Sequence, residues 1–161
     1  MKPILALAAV LSLAAAPALA QNASQIAAAR RGANCAGCNL FQADLGHTEL
    51  KAKNFSRARL RQADMSLGVF NGSRFTSADL RDVDAYGALF SNADFAGANL
   101  TNASFVGTYL QGANFAGADL TGTNFSGAEM DRARGLTQGR LDKACGDEAT
   151  RLPPGLRIRY C

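Results

Sequence analysis

The chain has no tryptophan and a single histidine, His47, and aromatic residues make up only 7% of its 161 positions. One imidazole and four cysteines leave few parts for acid–base catalysis or for a metal centre, and no motif implies a cofactor. Proline is limited to four residues. Beyond the first 20 residues there is no long apolar run, so no later segment is built for membrane insertion. Charged residues are only 19% of the chain against 48% hydrophobic, too much apolar material for an intrinsically disordered protein. The net charge of +4 is a mild excess that does not by itself call for nucleic acid as a partner. Such a length suits one domain of ordinary size. These exclusions leave a non-enzymatic binding or scaffolding protein.

The first 20 residues read as an export signal. Lys2 supplies the positive start, Ile4 to Ala16 an uncharged apolar run, and Ala18-Leu19-Ala20 the small residues that precede cleavage before Gln21. The run is too short and wrongly flanked for a membrane anchor. The expected location is periplasmic or secreted. The remaining chain carries sixteen basic and thirteen acidic residues, a net +3.

What the rest of the chain has is order. From residue 40 to 130 every fifth residue is apolar, beginning Leu40, Leu45, Leu50, Phe55, Leu60 and Met65, and 18 of these 19 positions are Leu, Phe or Met. Two residues before each stands a small residue, with Lys53 and Val83 as exceptions, and between the two sits a polar one, often Asp or Asn. Neither the 3.6-residue period of a helix nor the 2.0 of a strand holds a five-residue pattern in phase over 91 residues. A winding backbone does, if each unit forms one side of a coil and then turns. Every fourth unit matches: Phe55, Phe75, Phe95 and Phe115 form one column, and Leu40, Leu60, Leu80, Leu100 and Leu120 another. The one break compensates itself, because Ala85 is small where a large residue belongs and Val83 large where a small one belongs.

Units such as Ala78-Asp79-Leu80, Ala98-Asn99-Leu100 and Ala118-Asp119-Leu120 resemble those of the pentapeptide-repeat family, and the resemblance extends over residues 38–132. It implies an all-β fold, a right-handed quadrilateral β-helix solenoid. At about 4.8 Å per coil the repeats would make a rod on the order of 23 Å long. The residue two after each large apolar one is Gly or Asn from Gly87 to Gly127, as a type II turn with positive φ requires. Gln42, His47, Ala52, Arg57, Gln62 and Leu67 stand there earlier, so the expectation is regular type II corners after residue 85 and other turns before it.

An open β-helix exposes an unpaired edge at each end and needs caps. Residues 21–37 read as an N-terminal cap with Ala-rich helical turns ending at Gly32, and residues 133–161 as a C-terminal cap. In the latter, Thr137 starts a short helix over Gln138 to Ala144, and Leu156 to Tyr160 forms a strand. In an exported chain four cysteines suggest two disulfides. Cys35 and Cys38 lie at the start of the rod and Cys145 and Cys161 beyond its end, so the rod length leaves only Cys35–Cys38 and Cys145–Cys161. The first is a structural clip or a redox-labile pair; both readings stay open.

Two surface features stand out. Residues 51–81 hold Lys51, Lys53, Arg57, Arg59, Arg61, Arg74 and Arg81 against two acids, whereas 82–130 hold five acids and no Lys or Arg. This banding serves solubility, or meets an anionic partner. In the polar slot of one side Val69, Leu89 and Tyr109 replace Asp or Asn at twenty-residue spacing, with Tyr86 and Val106 on the adjoining turn. Such a patch marks an interface, or packs beneath a cap. The leading reading is an exported, rigid interaction or structural scaffold with an unknown protein partner and a possible homodimer. Some members of the family mimic DNA and bind gyrase, but the positive charge and export signal depart from them, and no nucleic acid is expected. Binding of anionic envelope glycans or lipids is a third reading, resting on the basic band.

Overall fold

The computed structural model describes residues 21–161; the expected signal segment lies outside the described residues. The backbone winds with a 20-residue repeat. Parallel bridges join each polar-slot residue to the one twenty residues on, from Asn39↔Arg59 to Asn114↔Arg134, and form four ladders along the chain. Each side is so short that one residue makes the bridge. Two-residue strands occur, among the described residues, only at β1 (Cys145–Gly146) and β2 (Arg159–Tyr160), which pair in parallel. The expected strand from Leu156 is thus confined to its last part.

One coil bonds to the next at fixed points. The Leu60 N–H donates forward to Asp79 O (2.8 Å), the Asp79 N–H donates back to Ala58 O (2.9 Å), and the Gln62 N–H at the corner donates forward to Arg81 O (2.9 Å). Within the corner itself the Ala63 N–H donates to Leu60 O (2.9 Å), closing a four-residue turn. This pattern overturns the expectation that corners change character near residue 85. Every fifth residue from Gly37 to Gly127 has positive φ, 19 corners in all, including Arg57 (58°), Leu67 (54°) and eight other non-glycine residues. A left-handed conformation costs a side-chain-bearing residue about 1 kcal/mol or more. It is adopted regardless, because only that geometry aims the corner N–H at the carbonyl of the neighbouring coil.

The interior is filled by the two inward slots. All 19 large slots are buried, from Leu40 to Met130. Phe55, Phe75, Phe95 and Phe115 stack at successive centroid spacings of 5.2 Å with interplanar angles of 9–11°. Phe70 and Phe90 stack likewise at 5.2 Å, and Phe75 meets Phe90 edge-on at 5.9 Å, which locks the two columns together. Ala85 and Val83 are both buried, so their exchange conserves the filling. Gly68 is required by its neighbour: a Cβ there would lie 2.5 Å from Phe70 Cε2. Hydroxyls in the small slot are spent on backbone, with Ser73 Oγ donating to Leu50 O (2.6 Å) and Thr123 Oγ1 to Leu100 O (2.9 Å).

Both ends depart from the repeat. Helix α1 (Ala23–Arg30) is capped by the Asn22 side chain, which accepts from Gln25 N (3.1 Å). It meets the first coil where Gln25 Oε1 accepts from Asn39 N (2.7 Å) and Arg30 pairs with Asp44 (2.6 Å); Ala29 is fully buried. Coil-to-coil bonding begins at Cys35, whose N–H donates to Asn54 O (2.7 Å). At the other end the ladders continue through Asn124↔Cys145 and Glu129↔Arg151, one and two residues longer than the repeat. The added chain accommodates α2 (Gln138–Leu141), which buries Leu141 and is shorter than expected. Thr137 precedes it, but its side chain makes no capping bond. The disulfides join Cys35 to Cys38 and Cys145 to Cys161, with Cα separations of 5.1 and 4.8 Å.

Three stability measurements check this account. Phe75→Ala, which empties the middle of the ring stack, lowers unfolding stability in urea by about 3–5 kcal/mol. Ala52→Gly, at an exposed left-handed corner, raises it by up to about 1 kcal/mol, while Gly127→Ala lowers it by a similar amount. The double change Cys145→Ser/Cys161→Ser costs about 3 kcal/mol, from the loop of 16-residue separation that the bond closes.

Candidate interaction surface

The outward polar slot has a local task. Every Asp and Asn there accepts, through Oδ1, the N–H two residues ahead, as in Asp64 to Ser66 (2.8 Å), Asp84 to Tyr86 (3.0 Å) and Asn124 to Ser126 (2.9 Å). These bonds tie down the corner that follows. Val69, Leu89 and Tyr109 have no oxygen for it and forfeit that bond at three successive coils. At one of them the loss is offset, because Ser91 N donates instead to Asn71 Oδ1 (2.8 Å) on the previous coil. The three side chains form a continuous ladder, Val69↔Leu89↔Tyr109, bounded by Glu49 and Glu129. Leu89 is 40% and Tyr109 39% exposed.

The adjoining corner column extends the patch. Tyr86 is exposed and Val106 half-buried, as the register places them. Leu67 on the same corner is 49% exposed. Sequence reasoning missed it by treating position 67 only as a turn residue; its place two residues before Val69 was the available signal. Leu67 leans on Gly87 of the next coil, where a Cβ would come within 2.8 Å of Leu67 Cδ2.

The basic band is not one surface. Lys51 pairs with Glu49 (2.6 Å), Arg61 with Asp82 (3.1 Å) and Arg81 with Asp79 (2.7 Å). Lys53 is half-buried and reaches toward Gly32, just past α1. Arg59 joins Phe41, Arg61 and Arg81 around a shallow hollow of about 190 Å³. Arg57 and Arg74 line a second, larger hollow on another part of the surface. The hydrogen bond from Arg81 holds Asp79 below the usual carboxylate value of 3.8, and the bond from Arg30 does the same for Asp44. His47 is an exposed corner residue. Among the described residues no group of His, Cys, Asp and Glu is arranged to hold a metal ion, and no helix is long and apolar enough to cross a membrane.

Four parallel ladders on a 20-residue repeat around a column of stacked rings define a β-helical solenoid. The family model for pentapeptide repeats matches the chain in eight copies, over residues 54–92 and 88–127. The protein belongs to the pentapeptide-repeat family, which implies a right-handed β-helix. Among solved structures it is similar to the pentapeptide repeat protein Rfr23 from the cyanobacterium Cyanothece 51142, with 28% identity, a TM-score of 0.53, and coverage of 65% of this chain and 64% of that one. It is also similar to HetL, a pentapeptide repeat protein involved in heterocyst differentiation regulation from Nostoc sp. strain PCC 7120, at 26% identity, TM-score 0.39, and coverage of 73% and 59%. The plasmid-mediated fluoroquinolone resistance protein QnrB1 matches at 22% identity and TM-score 0.36, over 69% of this chain and 80% of that one. The chain spans less than two thirds of the length of Rfr23 and of HetL. No protein of curated function matches it by sequence.

Asp44 and Asp79 belong to a set of depressed carboxylates, with Glu49, Asp119 and Asp147, that shapes the acid response. A carboxyl whose folded value lies below its unfolded one adds stability above the unfolded value, and that stability is lost as pH falls through the folded value. Stability therefore declines below about pH 4, and Asp79→Asn flattens the slope there without changing it at pH 7 to 8; acid titration followed by circular dichroism reads this directly.

Proposed function

We propose that this protein is an exported, non-enzymatic scaffold: a rigid four-sided β-helix, closed by helical caps at both ends, that binds a protein partner through the Val69–Leu89–Tyr109 ladder. Export is supported by the Lys2, Ile4 to Ala16 and Ala18-Leu19-Ala20 sequence and by two disulfides, which persist in oxidising compartments. The ladder carries the docking reading. Three apolar side chains, Leu89 and Tyr109 exposed and Val69 half-buried, stand where Asp or Asn secures the corner elsewhere in the repeat. Leu67, Tyr86 and Val106 widen the patch into a face suited to an apolar, aromatic-rich surface on the partner.

The variant Leu89→Asn/Tyr109→Asn separates docking from folding. At slot 109 the new amide oxygen can accept the Gln111 N–H, while at slot 89 Ser91 N is already held by Asn71 Oδ1, so unfolding stability holds or rises by up to about 1 kcal/mol in total. Cross-linking in the periplasm then loses the partner captured by the unaltered protein. Sedimentation velocity of both forms reports whether that partner is a second copy of the chain. A variant that melts lower and keeps its cross-linked partner would show the ladder to be a structural element only.

A further inference from the structure

Arg57 and Arg74 differ from most of the band. Lys51, Arg61 and Arg81 each hold a carboxylate, whereas Arg57 and Arg74 make no ion pair and no side-chain hydrogen bond. The repeat nevertheless brings them together. Arg74 is the bridge partner of Asn54, and the corner Ser56-Arg57 lies one coil from its equivalent Thr76-Ser77. These six residues line one hollow of about 510 Å³.

The hollow is rich in unspent donors. Thr76 Oγ1 donates to Ser56 Oγ (2.7 Å), which leaves the Ser56 hydroxyl hydrogen without an acceptor. Asn54 Oδ1 is occupied by Ser56 N (3.0 Å), and its amide hydrogens have no acceptor. The Ser77 hydroxyl is likewise without one. No carboxylate lines the space. The nearest along the ladder is Asp94, next above Arg74, and its Oδ1 already takes Ala96 N (3.1 Å) and Asn114 Nδ2 (2.9 Å). Two guanidinium forks, two hydroxyls and an amide around a space free of negative charge suit a tetrahedral oxoanion, which accepts on every side and takes arginine in bidentate fashion.

We propose that this hollow is a binding site for a phosphate-type oxoanion, carried either as free phosphate or as the headgroup of an anionic phospholipid. The site lies on the corner diagonally opposite the one bearing Leu67 and Tyr86, so it is independent of the apolar ladder.

Titration of the whole soluble protein with inorganic phosphate at low ionic strength, followed by amide NMR, tests it. Saturable shifts are expected at Ser56, Arg57, Thr76 and Ser77. Arg57→Gln/Arg74→Gln weakens the apparent affinity at least about tenfold, whereas Arg61→Gln changes it less than about twofold. Both arginines are exposed, so the folded spectrum of the double variant should be retained. Co-sedimentation with phosphatidylglycerol vesicles, but not phosphatidylcholine vesicles, abolished in the double variant, would support the site with a lipid headgroup as its ligand. Phosphate binding without vesicle retention would support it with free phosphate. Shifts that fail to saturate, that spread equally over Arg132, Arg134 and Arg140, or that survive in the double variant would overturn it.

Discussion

Coil-to-coil hydrogen bonding at a single repeat distance governs this molecule. Each side is too short to be a strand in its own right, so no side holds its shape without the sides above and below. The bond from the corner N–H explains why arginine, leucine, histidine and glutamine occupy left-handed conformations that glycine would adopt more cheaply. The local penalty at each corner is of the order of one hydrogen bond, and each side contributes several. The same pitch brings the phenylalanine rings of one column to 5.2 Å, so backbone and interior share one spacing.

That constraint divides the five positions by task. The large slot fills the axis, and the small slot leaves room for it or, as Ser73 and Thr123, returns a hydroxyl to the backbone. The polar slot secures the corner through Oδ1. Outward side chains at the corners bear little of the fold, and the polar slot is optional wherever stacking alone holds the turn. Recognition can therefore vary there without disturbing the axis. The apolar ladder and the arginine-lined hollow both occupy such positions, on different parts of the rod.

Much of this was legible in residue order. The five-residue period, the four columns, the Ala85–Val83 exchange and the cysteine pairings all follow from spacing, because a regular coil converts sequence distance into height along an axis. The corners were misread for an instructive reason. Glycine and asparagine enrichment after residue 85 reflects which residues adopt positive φ cheaply, whereas whether φ is positive is decided by the neighbouring coil. Leu67 was hidden in the same way, as a turn residue whose exposure depends on the face it borders. The basic band looked uniform in sequence because charge counts do not reveal pairing.

By itself the sequence determined the period, the contents of the interior and the order in which layers stack, since these depend on size and polarity repeated at fixed intervals. The tertiary structure alone decided which cations are neutralised and which are left facing a common hollow. It also decided that every corner turns alike and that α2 enters where the last ladders lengthen by one and two residues. The Arg61–Asp82 pair, the shared hollow and the corner bonds arise between residues about twenty apart on adjacent coils, where direction as well as distance matters, and a linear pattern carries no direction.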